Sequence, residues 1–573
     1  MNMLSIKRFR QISMFLLSVF LLLAVRLFYI NIWSGGKYIT LAQNQRMRSV
    51  AESEYQRGDF LDRNGISFTN NPERVLLVFP DLLDSDYDQD YLCQILTDFG
   101  LESAANAANK TQITKLLQEN QPFILARNLT TSQVQAISEQ IGSLDGIYAL
   151  TMRPRYSTDN PAAHLLGYVG ESSAEEYARL LKNGDPTPAY SGKTGLEKQY
   201  DEVLRGFSSD KIAVTVDEKG NQTDSALHYI SSGNAGTALN IQLTLDYNYQ
   251  LIAEAAMSGK TGAAVLLDVQ NGDVLAMVST PGFDQYIGQP AADGDDYMNK
   301  ALAYYPPASV FKIVLALAAL DNGISIDGEE STFTCDGSII LPGGHTVKCW
   351  KSAGHGEEDI SAALGNSCNP YFISLGQRLG GELIKEYAYR LGMTEQVLAG
   401  LNVNSQNQLD FNSKVVADVA NVSIGEKGIR ATPLMLARLL AAVANEGKLP
   451  TPRIVQAFVD KQGRTVSTLS SEQPRQVVQA ASARAVRRYL AAAVKSGTGK
   501  PLNSELISIA GKTGTTQDYG VWFAGFFPAD EPHWSIAVYI ADGESGGSDA
   551  GAVCREIAEK IALLEDIANT SSV

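Results

Sequence analysis

The sequence predicts a multidomain protein of α/β and α+β character. It has a single N-terminal transmembrane helix, an extended pedestal domain, and a C-terminal domain in which an antiparallel sheet is flanked by helices. Three observations lead there. An apolar stretch of 22 residues, Ile12 to Trp33, follows the basic residues Lys7, Arg8 and Arg10. Near the other end, Val521–Phe527 and Trp534–Ile540 read as strands joined by a short turn and followed by a helix over about 550–564, the pattern of an antiparallel meander. Between them, Ser309-Val-Phe-Lys312, Ser367-Cys-Asn369 and Lys512-Thr-Gly-Thr515 occur in that order, separated by 58 and 145 residues.

Each element has its own justification. Residues 1–10 form a short tail and 11–33 a span, since about 20 apolar residues cross a bilayer. Arg26 would cost roughly 2.5–3.5 kcal/mol at the bilayer centre, so it is expected off-centre, with its head reaching outward. The basic flank and the lack of a second apolar span place the bulk of the chain outside the cytoplasm, as a single-pass cell-membrane protein. A cleavable signal peptide fits less well, because the apolar region is long and no small-x-small site follows. Residues 34–238 are the pedestal, with a small α/β insertion from Val75 to Leu150. Ser231–Gly236 reads as a linker. The C-terminal domain, 239–573, opens with a strand over Leu239–Leu245 and a helix. A hairpin over 263–279 follows, turning at Asn271-Gly272. Pro306-Pro307 and Asn322-Gly323 bracket a buried helix over Val310–Leu320. Ser504–Ala510 reads as a strand running into Gly511–Thr515.

Composition narrows the function. With 573 residues, 45% apolar and 19% charged, the chain has material for two or more domains beyond an anchor. A net charge of −16 argues against nucleic acid as a partner. The three strings supply what acyl transfer needs. Ser309 at a helix start is a nucleophile, with free backbone N–H groups nearby. Lys312, on the same helix face, can lose its proton in a dry site. Ser367 and Asn369 can relay a proton and bond a substrate amide, and Lys512 on a strand can face a carboxylate. Lys193-Thr-Gly195, Lys260-Thr-Gly262, Ser208-Ser-Asp-Lys211, Ser232-Gly-Asn234 and Ser405-Gln-Asn407 repeat the strings without the helix, order or strand context. A phosphate-binding loop is excluded, because Thr187 and Leu506 stand where its first glycine belongs.

The ordered set resembles the active-site signature of penicillin-binding proteins and serine β-lactamases. A second, independent resemblance extends it. Arg57-Gly-Asp-Phe-Leu-Asp-Arg-Asn-Gly65, Arg153-Pro-Arg-Tyr156, Ala163–Gly170, Gly195–Asp201 and Leu204-Arg-Gly206 are similar to the pedestal of class B penicillin-binding proteins, from the anchor to about residue 565. The resemblance implies a penicillin-binding, serine β-lactamase-like transpeptidase domain with no required cofactor. It implies peptidoglycan D,D-transpeptidation. Ser309 attacks the D-Ala–D-Ala carbonyl, Lys312 accepts its proton, and Ser367 passes one to the leaving amine. Asn369 bonds a backbone amide, while Lys512, Thr513, Gly514 and Thr515 shape the carboxylate and oxyanion sites. The implied partners are peptidoglycan stem peptides, β-lactam antibiotics and a SEDS-type glycosyltransferase in the membrane. No appended PASTA-type module is expected. Val521 stands where many relatives have a His before Trp522-Phe523. Two other readings stay open: a D,D-carboxypeptidase or β-lactamase with water as acceptor, and a catalytically idle β-lactam sensor or scaffold.

Five cysteines remain: Cys93, Cys335, Cys349, Cys368 and Cys554. Cys335, Cys349 and Cys368 cluster before and inside the second string, with His345 and His355 between them. Three readings compete. A disulfide such as Cys349–Cys368 suits an oxidising compartment. A structural zinc on Cys335, Cys349, His355 and Cys368 suits the donor set but not the usual spacing. Unpaired core thiols are the third.

Overall fold

The computed structural model describes residues 3–28, 47–51, 57–83, 89–102, 110–120, 122–141, 146–156, 161–182, 190–205, 211–215, 228–230, 238–285, 297–324, 333–395, 398, 401, 408–516 and 518–571. The linker expected at Ser231–Gly236 lies outside them, as do Tyr29–Trp33 of the expected span. A helix, α1, covers Met3–Phe28. Its side chains are described continuously only from Ser13 to Leu23, with Met14 to Leu23 apolar apart from Ser18 and all exposed. Among the described residues no helix is long and apolar enough to cross a membrane.

The chain divides into two compact units, residues 1–56, 72–155 and 208–234 in one, and 57–71, 156–207 and 235–573 in the other. In the first, β1 (Glu73–Val78), β2 (Phe123–Ala126) and β3 (Ile147–Met152) form an antiparallel sheet with β1 in the middle. Helices α2 (Gln89–Asp98), α3 (Lys110–Glu119) and α4 (Thr131–Ile141) accompany it. Leu92, Ile95 and Leu96 recur at helical spacing on α2 and bury with Ile113, Ile137 and the strand residues Leu76 and Val78. This is the α/β insertion that the run from Val75 to Leu150 suggests.

The second unit is built on five antiparallel strands. They are β4 (Gly262–Asp268), β5 (Val274–Thr280), β6 (Ala510–Thr515), β7 (Val521–Phe527) and β8 (Trp534–Ile540), in the spatial order β5-β4-β8-β7-β6. Alternate residues serve opposite faces, as the two-residue period of a strand requires. Trp522, Ala524 and Phe526 of β7 join one core. Val521, Phe523 and Phe527 join another, with α5 (Tyr247–Met257) and the C-terminal helix. The first core also contains α6 (Lys312–Asp321), α7 (Ile360–Asn366), α8 (Asn369–Leu379), α9 (Pro433–Ala444) and α10 (Ala480–Ser496); the C-terminal helix, α11, spans Gly551–Ser571. Because α6 lies inside this core, its side chains from Lys312 to Ala319 are buried on every side and show no amphipathic stripe.

Two expectations need adjusting. Ser504–Ile509 is not strand; β6 begins at Ala510. The Ser504 hydroxyl accepts from the Leu506 and Ile507 N–H groups, a local turn that competes with a ladder. The helix start at Ser309 is a 3₁₀ turn, Ala308–Phe311, ahead of the α-helix.

The signatures of the early chain meet within the second unit. The buried Arg57 guanidinium pairs with Glu197 at 2.8 Å and Asp201 at 2.8 Å, so Arg57-Gly and Gly195–Asp201 are two halves of one contact. Asp62 accepts from the Asn64 and Ile66 N–H groups, closing the Asp-Arg-Asn-Gly turn, and accepts from Tyr247 N–H at the start of α5.

Candidate active site

Ser309 stands on a turn held from two sides. Ala308 adopts a left-handed φ of 49°, and its N–H donates to the Gly425 carbonyl at 3.0 Å. A Cβ on Gly425 would come within 2.0 Å of the Ala308 carbonyl oxygen, so only glycine fits there. On the sheet side, Trp522 Nε1 donates to the Pro306 carbonyl at 2.9 Å. A Cβ on Gly514 would lie 3.2 Å from Ala308 Cβ and from the Pro307 oxygen. The turn that carries Ser309 thus rests directly on β6.

The second string bridges two helices. Ser367 ends α7 in a left-handed conformation, φ 57°, and Asn369 begins α8. That reversal turns both side chains toward Lys312, whose Nζ donates to Asn369 Oδ1 at 2.6 Å, the Ser367 carbonyl at 2.9 Å and Ser367 Oγ at 3.3 Å. Burial of Lys312 pushes its pKa down to about 7, partly opposed by Cys368, Cys349 and Glu426. Lys512 is also fully buried, with Nζ donating to the Thr513 carbonyl at 3.0 Å. Burial, and then the positive charge of Lys312, hold its pKa well below the usual lysine range. Two ammonium groups in one dry site oppose each other's ionisation.

Ser309, Ser367, Asn369, Thr513 and Thr515 line one cavity of about 760 Å³. Lys312 and Lys512 are buried and bond residues of its wall, and Gly514 packs behind it. Every residue singled out in the three strings therefore belongs to this neighbourhood. Other wall residues carried no motif: Asn421, Glu426, Thr498, Thr516, Trp350, Gly546 and the segment His345–Lys348. Thr498 is anchored by its N–H to the Gly365 carbonyl at 3.0 Å, and Thr513 Oγ1 donates to Thr498 Oγ1 at 2.9 Å. Its Gly497-Thr-Gly499 setting reads only as the end of α10. Gly546 N–H donates to Thr515 Oγ1 at 3.3 Å.

The cysteines near the second string converge. The donor atoms of Cys335, Cys349, His355 and Cys368 all lie within 4.8 Å of one another, and these cysteines are free thiols. His355 Nδ1 is 3.7 Å from Cys335 Sγ and 3.6 Å from Cys349 Sγ. Zinc bonds of about 2.3 Å to sulfur and about 2.0–2.1 Å to nitrogen, at a tetrahedral angle, set that edge at roughly 3.5 Å. The four donor atoms are close enough together to hold a metal ion, though their spread is wider than a tetrahedral zinc site sets. A bond from Cys368 lowers the Cys349 thiol below its usual range, and the same pairing holds Cys368 up. Cys554 is buried in the second core of the sheet, away from this cluster.

Comparison with known proteins covers most of the chain. The model of the penicillin-binding protein transpeptidase domain matches residues 262–561, and that of the penicillin-binding protein dimerisation domain matches residues 52–240. The peptidoglycan D,D-transpeptidase MrdA of Acinetobacter baumannii is 27% identical over 92% of this chain and 84% of its own. The stage V sporulation protein D of Bacillus subtilis is 28% identical over 93% of this chain and 81% of its own. The penicillin-binding protein PBP2 of Helicobacter pylori superposes with a TM-score of 0.62 at 24% identity, covering 91% of this chain and 99% of its own. A buried lysine beneath a serine-bearing turn, set against an edge strand and matched across the whole catalytic region, identifies the chain as a member of the class B penicillin-binding proteins, the serine-type peptidoglycan D,D-transpeptidases.

Proposed function

We propose that Ser309 forms the acyl-enzyme of this transpeptidase and that Lys312 is the base that activates it. The observation that carries this is the state of Lys312: fully buried, its pKa pushed down to about 7, and bonded to Ser367 and Asn369. A lysine half-neutral near pH 7 can accept the Ser309 proton as Oγ attacks the penultimate D-Ala carbonyl. The Ser309 and Thr515 backbone N–H groups hold the oxyanion. The carbonyl–nitrogen bond then breaks, Ser367 passes a proton to the leaving D-Ala amine, and an ester on Ser309 remains. An acceptor amine attacks that ester, its proton returns through the same groups, and Ser309 is restored with a new amide cross-link. Asn369 orients the donor amide. The Thr513 hydroxyl, beside Thr498, holds the terminal carboxylate near Lys512, with Thr515 at the far side of it. No cofactor takes part in these steps.

Three further assignments belong with this reading. The helix α1 and Lys7, Arg8 and Arg10 support a single-pass anchor with the bulk of the chain outside the cytoplasm. Residues 34–238 serve as the pedestal and 239–573 as the transpeptidase domain, with a membrane SEDS-type glycosyltransferase as the partner that supplies glycan strands. The Cys335, Cys349, His355 and Cys368 donors hold a structural zinc that fixes the segment preceding Ser367. The deciding experiment is mass spectrometry of the intact protein after exposure to penicillin, with peptide mapping. The adduct should sit on Ser309 and vanish in Ser309→Ala; an adduct on another serine sinks the assignment.

A further inference from the structure

The second peptide of the reaction needs a place in the same cleft as the first. One peptide, with its carboxylate at Thr513 and its carbonyl at Thr515, occupies the side formed by β6. Another wall is built by the hairpin of Ser338–Ile340 with Thr346–Lys348. Thr346, Val347 and Lys348 all line the cavity that contains Ser309. Neighbouring residues of a strand point to opposite faces, so three in a row meet the cavity along the strand's edge.

That edge is open. Leu341 N–H donates to the His345 carbonyl at 2.8 Å, and Cys349 N–H donates to the Gly337 carbonyl at 2.9 Å. Bonded pairs alternate along an antiparallel ladder, so it is Val347, opposite Ile339, whose backbone groups face the partner strand. The N–H and C=O groups of Thr346 and Lys348 face outward, and among the described residues nothing bonds them. An unpaired edge is a template for an extended peptide. The edge is also held in place. Ile339, Leu341 and Val347 pack with Ile373 of α8 and with Ala420 and Ile424. Trp350 Nε1 donates to the Asn366 carbonyl at 2.9 Å, next to Ser367. The Lys348 side chain is exposed and makes no ion pair among the described residues.

We propose that the outer edge of Thr346–Lys348 binds the acceptor stem peptide, main chain to main chain, and that Lys348 takes the terminal carboxylate of that peptide. The inference rests on the transpeptidase reading above. A peptide laid on this edge shares the cavity of Ser309 and brings its side-chain amine to the ester. The amine nitrogen bonds to the ester carbonyl carbon, the carbon–Oγ bond breaks, and the amine proton passes to Ser309 Oγ. Water needs no such edge, so the strand favours cross-linking over hydrolysis of the same acyl-enzyme.

The test uses the full-length protein in detergent and a donor peptide ending in D-Ala–D-Ala whose own amines are acetylated. The acceptor is acetyl-L-Ala-D-Glu-L-Lys-D-Ala, with its lysine amine free. Mass spectrometry reads the ratio of cross-linked to hydrolysed product, which is set after acylation and does not depend on the acylation rate. Thr346→Pro deletes one outward N–H at an edge position where proline is tolerated, and Thr346→Ala keeps it. The ratio should be about fivefold lower in the proline variant than in the alanine variant, as one hydrogen bond implies. The wild-type protein should favour this acceptor about threefold over its C-terminal amide, as an exposed ion pair implies. Lys348→Ala should make the two acceptors equal. Thermal melting shows whether each variant is folded; if the proline variant is not, the Lys348 comparison decides. Equal ratios for the proline and alanine variants, or an acid preference that is absent from the wild type or survives Lys348→Ala, overturns the acceptor edge. If penicillin still labels Ser309 and cross-links still form in that case, the transpeptidase reading stands and only the edge falls. If no acyl-enzyme forms on Ser309, or it yields hydrolysis alone, both fall together.

Discussion

Lys312 shows how a single residue is prepared by its surroundings. Removing its ammonium from water favours the neutral amine, which is the form that can act as a base. The sign of the pH dependence follows. Below about pH 7 the group is protonated and idle; above it the amine is free. The acylation rate by penicillin should therefore climb tenfold per pH unit at low pH and level off above a midpoint near 7, as stopped-flow quenching would show. Lys312→Arg should remove acylation, because a guanidinium stays charged throughout. Ser367 carries a different burden. Its left-handed backbone is rarely adopted by a residue with a side chain and costs about 1–3 kcal/mol. A glycine would relieve that strain, so the hydroxyl is what the position keeps. Ser367→Ala should leave the fold intact and slow acylation by about 10²–10⁴, the usual range for losing a positioned proton carrier. A change of less than threefold would remove Ser367 from the relay.

At the scale of elements, the sequence is most readable where periodicity is strong. β7 and β8 are bounded as their apolar runs suggest, and the hairpin of β4 and β5 turns at Asn271-Gly272, with Gly272 at φ 78°. The Ser504–Ile509 segment misleads because its alternation is genuine while Ser504 captures the local N–H groups instead. Thr498, Asn421 and Glu426 leave no trace in a linear reading. Each comes from a helix end or loop whose place in the site is fixed by tertiary packing. The cysteine cluster is intermediate: its members are nameable from type and position, but their convergence depends on two short strand pairs, Phe333–Cys335 with Gly356–Glu358 and Ser338–Ile340 with Thr346–Lys348. Such three-residue strands carry almost no pattern. If zinc organises them, metal analysis of protein purified without chelator should find about one zinc per chain. Strong chelation should then lower the melting temperature and slow acylation together. A metal-free protein indifferent to chelator would return these residues to ordinary packing.

At the scale of the whole molecule, the helix Met3–Phe28 with its basic residues precedes in sequence the match to the dimerisation domain, which in turn precedes the match to the transpeptidase domain. The proposed single-pass anchor would lie at that N-terminal end. The orientation is testable directly. A protease added to intact spheroplasts should remove the region after Trp33 and spare a tagged N-terminal tail; protection of the large region would reverse the topology. The Arg57 contact with Glu197 and Asp201 matters at this scale too, since it links segments about 140 residues apart in one buried ion cluster. Arg57→Ala leaves Glu197 buried without its cation, and destabilisation of about 3–5 kcal/mol is expected in chemical denaturation.

The clamp around Ala308 also bears on how such an enzyme can evolve under antibiotic selection. Gly425 presses on that turn from one side and Gly514 from the other, with no room for a larger residue at Gly425. If Ser309 is the residue that penicillin acylates, a lineage exposed to the drug cannot easily reshape this turn, because substitutions at Gly425 would dislodge it. Escape is channelled to the exposed rim, where Trp350 faces solvent. There a side chain can change without moving the turn. The geometry that holds Ser309 therefore also decides which mutations remain open to its descendants.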